Sequence, residues 1–224
     1  MSSRMACRLV ALVALAASGC ADLPVGDGEE VGEVEDGQSE IAAQQNPNFT
    51  CTEPEIEAVL LAAYVANGAV TQAARSTPAN DPRRWEEWFT TAVTPAQRDR
   101  VISILNDIRR RTLLSELRCL KNDGRTASDF AECNQINVAA FVRPGQLVIN
   151  LCPVFFRLSP LWQVNVLVHE AAHLSLGEPD HTVNGTALLA RMLADIDLSL
   201  ALRNASNYAH FVTNDPTMNG VTLR

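Results

Sequence analysis

The spacing of hydrophobic residues predicts two long helices in the first half of the folded chain. Residues 55–75 are rich in Ala, Leu and Val, and we expect their helix to be interrupted or weakened at Gly68. Positions three and four apart form its predicted apolar face: Ile56, Val59, Leu60, Ala63 and Tyr64. A second helix begins at Thr94-Pro95, because a capping side chain there precedes a proline suited to the first turn. Its predicted apolar face consists of Val101, Ile104, Leu105, Ile108, Leu113 and Leu117.

Two short β-type runs after the second helix predict an antiparallel hairpin. They cover residues 137–140 and 147–151 and are joined across Arg143-Pro144-Gly145, which has the composition of a turn. An aromatic cluster at residues 85–89, with the sequence Trp-Glu-Glu-Trp-Phe, is expected to pack between helices. The predicted sheet is therefore short and antiparallel.

A third and a fourth helix complete the pattern. Ser159-Pro160 begins the third helix, which runs to about Leu176 and is ended by Gly177. The fourth helix is strongly apolar and spans residues 186–201. The expected fold class is therefore α+β and mostly helical, with the hairpin as its short antiparallel sheet.

Residues 1–19 are typical of a secretory signal rather than of folded structure. Arg4 and Arg8 precede an apolar run that is too short to cross a bilayer as a permanent helix. Small residues lead directly into Cys20, and this resembles the cleavage box of bacterial lipoproteins. The resemblance implies a lipid on the Cys20 thiol and, because Ala21 follows, placement at the outer membrane or cell surface. The alternative is a plain signal peptide with an incidental Cys20, which predicts a secreted protein.

Residues 20–48 have the composition of a flexible tether. Eight acidic residues and no basic residue lie between positions 21 and 45. The whole chain carries a formal net charge of −8, which disfavours nucleic acid as a partner. The folded domain is predicted to cover residues 49–224, because the chain is 47% hydrophobic and 20% charged and can form a core there.

Four cysteines remain for the folded domain once Cys7 leaves with the signal and Cys20 takes the lipid. They are Cys51, Cys119, Cys133 and Cys152. Four cysteines in an exported domain favour two disulfides, with three connectivities open. A zinc site built from these cysteines is disfavoured, because no pair has the C-x-x-C spacing.

The third helix carries the sequence His169-Glu170-Ala171-Ala172-His173. Residues four apart share one face of a helix, so both imidazoles can bind one metal ion. Glu170 lies one step round the helix, where it can act as the base for a water molecule. This spacing is the signature of zinc metallopeptidases. A buried pair of structural histidines is the alternative interpretation.

A catalytic zinc ion keeps three protein ligands and one open position. The third ligand must follow Gly177, where the chain turns back. Three residues there have suitable side chains: Glu178, Asp180 and His181. The metzincin pattern is disfavoured, because Leu176 and Pro179 stand where it requires Gly and His.

The segment from residue 147 to residue 211 resembles the aspzincins, meaning deuterolysin and the peptidyl-Lys metalloendopeptidases. The resemblance rests on Val148-Ile149-Asn150-Leu151-Cys152-Pro153 with Phe155-Phe156, on Leu167-Val168-His169-Glu170 with His173, on Gly177 through Asp180-His181, and on Asn204-Ala205-Ser206-Asn207-Tyr208 with Phe211. The aromatic cluster at residues 85–89 also matches, so the resemblance covers most of residues 50–215. It implies a zincin-like α+β fold, with Asp180 as the third zinc ligand beside His169 and His173. It also implies the disulfides Cys51–Cys119 and Cys133–Cys152.

The chain departs from the family pattern at three places. The interval from His173 to Asp180 is shorter than expected for the family. The family places a Tyr directly before a Gly after the ligand Asp, whereas this chain has Asn184-Gly185, which leaves the oxyanion to zinc and Asn184. Ser206 and Ala209 stand where lysine-specific members carry two acids, so lysine specificity is not expected.

These observations predict a zinc-dependent metalloendopeptidase that hydrolyses peptide bonds, with water activated by zinc and Glu170. One Asp and two neutral His ligands leave the zinc site with a net charge of about +1, which favours polarising a peptide carbonyl. The expected partners are protein or peptide substrates and, through the lipid, a membrane; the chain is expected to be a monomer. The alternative is a weakly active or inactive zinc-binding surface lipoprotein. Glu170 argues against that alternative, because a structural zinc site needs no base.

Overall fold

The computed structural model describes residues 51–90, 92–120, 131–135, 138–177 and 186–213. Its helices are α1 (Glu53–Ala74), α2 (Pro82–Phe89), α3 (Pro95–Leu114), α4 (Pro160–Leu176), α5 (Ala187–Ile196), α6 (Leu198–Ala201) and α7 (Ala205–Thr213). Its strands are β1 (Glu116–Cys119), β2 (Ala140–Val142) and β3 (Val148–Leu151), and one turn of 3₁₀ helix covers Phe155–Arg157. This part of the chain is mostly helical with a small sheet, which confirms the predicted fold class.

The ends of the long helices follow the capping residues in the sequence. The backbone N–H of Thr52 donates to the Glu55 side chain at 2.6 Å where α1 begins. Thr94 and Gln97 make the reciprocal pair of bonds at the start of α3, at 2.8 and 3.3 Å. Helix α4 ends at Gly177, whose φ of 68° lies in the left-handed region that favours glycine. The predicted starts of the second and third helices and the predicted end of the third are therefore confirmed.

Helix α1 buries Val59 and Ala63 of the predicted apolar face but not the other three residues, and it continues through Gly68, so the predicted interruption is wrong. Ile56, Leu60 and Tyr64, which the spacing assigned to the apolar face, are 46%, 58% and 60% exposed. The buried face is lined mainly by alanines: Val59, Ala62, Ala63, Ala66, Val70 and Ala73. These small side chains let α3 and α4 pack closely against α1, so its larger hydrophobic residues face outward.

The sheet has the strand order β1-β3-β2 and contains the predicted antiparallel hairpin, although the first strand of the hairpin is Ala140–Val142 rather than residues 137–140 and the sheet also includes a parallel pair. Strands β2 and β3 are antiparallel, with Phe141 opposite Asn150. Strand β1 pairs in parallel with β3, with Leu117 opposite Ile149. The assignment of Leu117 to the second helix is therefore wrong. Helix α3 ends at Leu114, and a four-residue strand is too short for its alternation to be told from helical spacing.

The aromatic cluster at residues 85–89 packs between helices, as predicted. Trp85, Trp88 and Phe89 on α2 are fully buried. The Phe89 ring lies 5.1 Å from the rings of Tyr208 and Phe211 on α7, measured between centroids. The cluster therefore holds α7 against α2 in the core.

The predicted helix over residues 186–201 is divided at Asp197, so its continuity was wrongly predicted. Helix α5 ends at Ile196, and the carboxylate of Asp197 accepts the N–H of Leu200 at 3.2 Å to begin α6. An Asp at this position satisfies an N–H group that a new helix would leave unpaired. The chain can therefore change direction there before α7.

Both disulfides implied by the family resemblance are present. Cys51–Cys119 joins the segment before α1 to the end of β1, and Cys133–Cys152 joins the segment before β2 to the residue after β3. The Cα atoms of the two pairs are 5.2 and 5.4 Å apart. The first bridge ties the helical layer to the sheet, and the second closes the hairpin.

Candidate active site

Helix α4 positions the predicted catalytic side chains from the centre of the fold. It packs against α1, α3 and α7, and eleven consecutive residues from Gln163 to His173 are buried. His169, Glu170 and His173 are 0%, 3% and 6% exposed. Because α4 is enclosed along this length, its polar side chains are held by packing from several elements.

The two imidazoles of α4 converge through their Nε2 atoms. These two nitrogens are 3.1 Å apart, and the ring planes are inclined at 80°. Two nitrogens bound to one zinc ion at about 2.0–2.1 Å in tetrahedral geometry would be about 3.4 Å apart. The arrangement of His169 and His173 therefore fits two ligands of a single metal ion.

The remaining predicted ligands lie outside the described residues. They are Asp180 and its competitors Glu178 and His181, and the predicted oxyanion residue Asn184 lies outside the described residues as well. Among the residues that the structure describes, no group of three His, Cys, Asp or Glu side chains is placed to hold a metal ion. The pair on α4 is therefore the part of the predicted site that the structure brings together.

The carboxyl group of Glu170 on α4 faces β2, the outer strand of the hairpin. Burial raises the pKa of its carboxyl to about 8, and a hydrogen bond from the backbone N–H of Val142 opposes that rise. Val142 is the last residue of β2, so the strand contacts the carboxyl directly. A divalent cation held by the neighbouring imidazoles would favour the ionised form, which is the form that accepts a proton.

A second polar contact lies behind the first imidazole. The hydroxyl of Ser206 on α7 is 3.5 Å from Nδ1 of His169. One turn earlier on α4, Nδ2 of Asn165 donates to the hydroxyl of Thr213 at 3.0 Å. Asn165 and His169 are four residues apart, so both lie on one face of α4 and contact polar side chains of α7.

A cavity of about 260 Å³ opens beside His173. It is lined by residues 142–147 of the hairpin and by Leu174 and Gly177 at the end of α4. The guanidinium of Arg143 in this lining is 3.0 Å from the carboxylate of Glu132. A peptide side chain entering this cavity would lie next to a predicted metal ligand.

The contact between Ser206 and His169 was not predicted from the sequence. The family resemblance aligns Ser206 and Ala209 with the two acids of lysine-specific members; both residues are fully buried, and Ser206 faces His169. Asn165, by contrast, could have been found, because it precedes His169 by the same interval that separates the two histidines.

Comparison with known proteins identifies the family of this chain. The family model described as lysine-specific metallo-endopeptidase, aspzincin M35, matches residues 73–213. A peptidyl-Lys metalloendopeptidase from Armillaria mellea is 32% identical over 90 residues, which are 38% of this chain. The match spans 25% of that relative, so the chain corresponds to about a quarter of its length.

A solved structure shares the fold. A zinc peptidase from Grifola frondosa superposes with a TM-score of 0.60 and 22% identity, covering 75% of this chain and 99% of that chain. The family match contains α4 with its two histidines and Glu170, and it spans more than half of the residues. The chain therefore belongs to the aspzincin family of metallopeptidases.

Proposed function

We propose that this protein is a zinc metalloendopeptidase that hydrolyses internal peptide bonds of protein substrates. The observation that carries the proposal is the convergence of the two Nε2 atoms at 3.1 Å with Glu170 beside them. Membership of the aspzincin family supports zinc as the metal and peptide hydrolysis as the reaction. The expected zinc ligands are His169, His173 and Asp180.

The protein residues would divide the reaction between them. A zinc ion held by His169, His173 and Asp180 would supply Lewis acidity for polarising the peptide carbonyl and lowering the pKa of water. Glu170 takes a proton from the attacking water and later delivers it to the leaving amine. Asn184 is proposed to support the oxyanion. The cavity beside His173 is proposed to hold a substrate side chain.

The test compares Glu170→Gln with wild type for zinc content and for casein cleavage. We expect Glu170→Gln to retain zinc and to lose at least about 100-fold in rate, because it removes the proton acceptor and keeps the shape. Glu116→Gln is the matched control, because Glu116 pairs with Arg118 on β1 and should change neither quantity. A Glu170→Gln variant that cleaves casein at the wild-type rate contradicts the proposal.

The same measurements separate the proposal from its alternative. A wild-type protein that binds one zinc ion and cleaves neither casein nor short peptides would be a zinc-binding surface protein without peptidase activity. For the third ligand, Asp180→Ala should lose most of the zinc, while Glu178→Ala and His181→Ala should keep it. Loss of zinc in His181→Ala with retention in Asp180→Ala would refute the ligand assignment.

We further propose that the domain is exported and held at the outer membrane or cell surface by a lipid on Cys20. The basic and apolar residues of segment 1–19 and the acidic tether over residues 20–48 support this placement. Cys20→Ala should abolish incorporation of labelled palmitate and release the protein from membranes. Unchanged membrane association in the unlabelled variant would favour another mode of attachment.

A further inference from the structure

We propose that Ser206 is a positioning residue for the metal site. Its hydroxyl accepts the Nδ1 proton of His169 and so fixes the tautomer and ring orientation that present Nε2 to zinc. This inference rests on the proposed function, because it assigns a task to a residue of the same site.

The geometry of His169 separates the tasks of its two ring nitrogens. Nε2 faces Nε2 of His173 at 3.1 Å, and Nδ1 faces the hydroxyl of Ser206 at 3.5 Å. A neutral imidazole carries one N–H, and a nitrogen that binds a metal must offer its lone pair. The proton of the metal-binding form therefore lies on Nδ1, which faces the hydroxyl oxygen of Ser206 as an acceptor.

Helix α7 holds this hydroxyl against α4 at fixed points. Ser206 and His169 are both fully buried. Next to Ser206, the side-chain amide of Asn207 donates to the backbone carbonyls of Trp88 and Ala190 at 2.8 and 2.9 Å. At the other end of α7, Thr213 accepts from Asn165. The helix cannot slide along α4 without breaking these bonds, so the position of the Ser206 oxygen is set by the fold.

A partner on the second ring nitrogen is the usual device for orienting a metal-binding histidine. Its removal typically weakens metal binding by 10- to 100-fold. A serine performs this task without adding a charge, unlike a carboxylate. The site therefore keeps the higher positive charge that favours polarisation of a substrate carbonyl.

The test measures zinc affinity by competition with a chelator, independently of hydrolysis. Ser206→Ala should weaken zinc binding by about 10- to 100-fold, and Ser206→Thr should bind within about threefold of wild type because it keeps the hydroxyl. Ser175→Ala is the matched control: its hydroxyl donates to the carbonyl of Ala171 on α4 at 2.8 Å and should leave zinc affinity unchanged. Zinc affinity of Ser206→Ala within threefold of wild type would overturn the inference.

A second measurement on the wild-type protein keeps the inference testable if Ser206→Ala does not fold. The ¹⁵N NMR spectrum of the metal-free protein should show His169 with its proton on Nδ1, and His173 donating from Nε2 across the 3.1 Å contact. A proton on Nε2 of His169 would contradict the assignment. If the protein binds zinc but cleaves no peptide, only the proposed peptidase activity is refuted. Zinc affinity and the tautomer of His169 still test the role of Ser206.

Discussion

Asn207 is the residue whose replacement should most reduce the stability of the fold around the site. Its fully buried amide donates to the carbonyls of Trp88 on α2 and Ala190 on α5, and its oxygen accepts from Asn204 at 2.7 Å. The change Asn207→Ala leaves two backbone carbonyls and one side-chain amide without this partner. Helix α7 then loses its side-chain hydrogen bonds from Asn207 to α2 and α5.

The expected loss can be worked from these bonds. Each buried polar group left unsatisfied costs about 1–3 kcal/mol. The Trp88 carbonyl and the buried Asn204 amide together therefore give about 2–6 kcal/mol, because the Ala190 carbonyl keeps its bond within α5, and the lower end applies if water enters the space. Since the free energy of unfolding of a domain is about 5–15 kcal/mol, this one side chain accounts for a large share of it.

The assay is equilibrium unfolding in urea, with Asn67→Ala as the matched control. Asn67 also donates its amide to a backbone carbonyl, that of Arg109, but at 3.5 Å and at the surface, so its loss should cost less than about 1 kcal/mol. Both variants are measured with chelator present, because bound zinc would raise the apparent stability. Equal losses for Asn207→Ala and Asn67→Ala would refute the reasoning.

Three further predictions concern the bridges, a helix end and specificity. Removing Cys51–Cys119, with a separation of 68 residues, should lower the free energy of unfolding by about 4 kcal/mol, and removing Cys133–Cys152, with a separation of 19, by about 3 kcal/mol, because the longer loop gains more entropy when it is opened. Urea unfolding of the two double alanine variants checks this order. Gly177→Ala should lower the free energy of unfolding by about 1–2 kcal/mol, because alanine is strained at a φ of 68° although its Cβ would meet no other atom; Gly177→Asn should lower it less in the same assay. Mass-spectrometric mapping of cuts in a denatured protein mixture should show no strong excess of lysine after the cut bond.

The helix that carries the histidines could be predicted from the sequence because its signals are local. Pro160 at its start and Gly177 at its end lie within a few residues of the turns they control, and its 17 residues give several helical periods. The spacing of His169 and His173 then follows from helix geometry alone. Local information therefore suffices for two of the proposed metal ligands.

The buried face of α1 could not be predicted in the same way. Large hydrophobic residues such as Leu60 and Tyr64 fit a helical stripe as well as the buried alanines do, and the alanines are inside because neighbouring helices approach closely. The pairing of β1 with β3 and the contact of Ser206 with His169 also depend on residues distant in sequence. The break at Asp197 differs from these cases, because its capping role is local and the capping preference of Asp indicates it.

The position of Ser206 also bears on the choice of substrate. In lysine-specific members, acids are expected at the positions of Ser206 and Ala209, and a buried acid there would lie close to His169. With neutral side chains at both positions, the proposed ligand set of two neutral imidazoles and one carboxylate leaves the zinc site with a net charge of about +1. A lysine ammonium brought out of water near this site would find no compensating charge at these two positions, and such burial is costly. We therefore expect the serine that gives His169 an uncharged partner to disfavour lysine beside the cut bond as well.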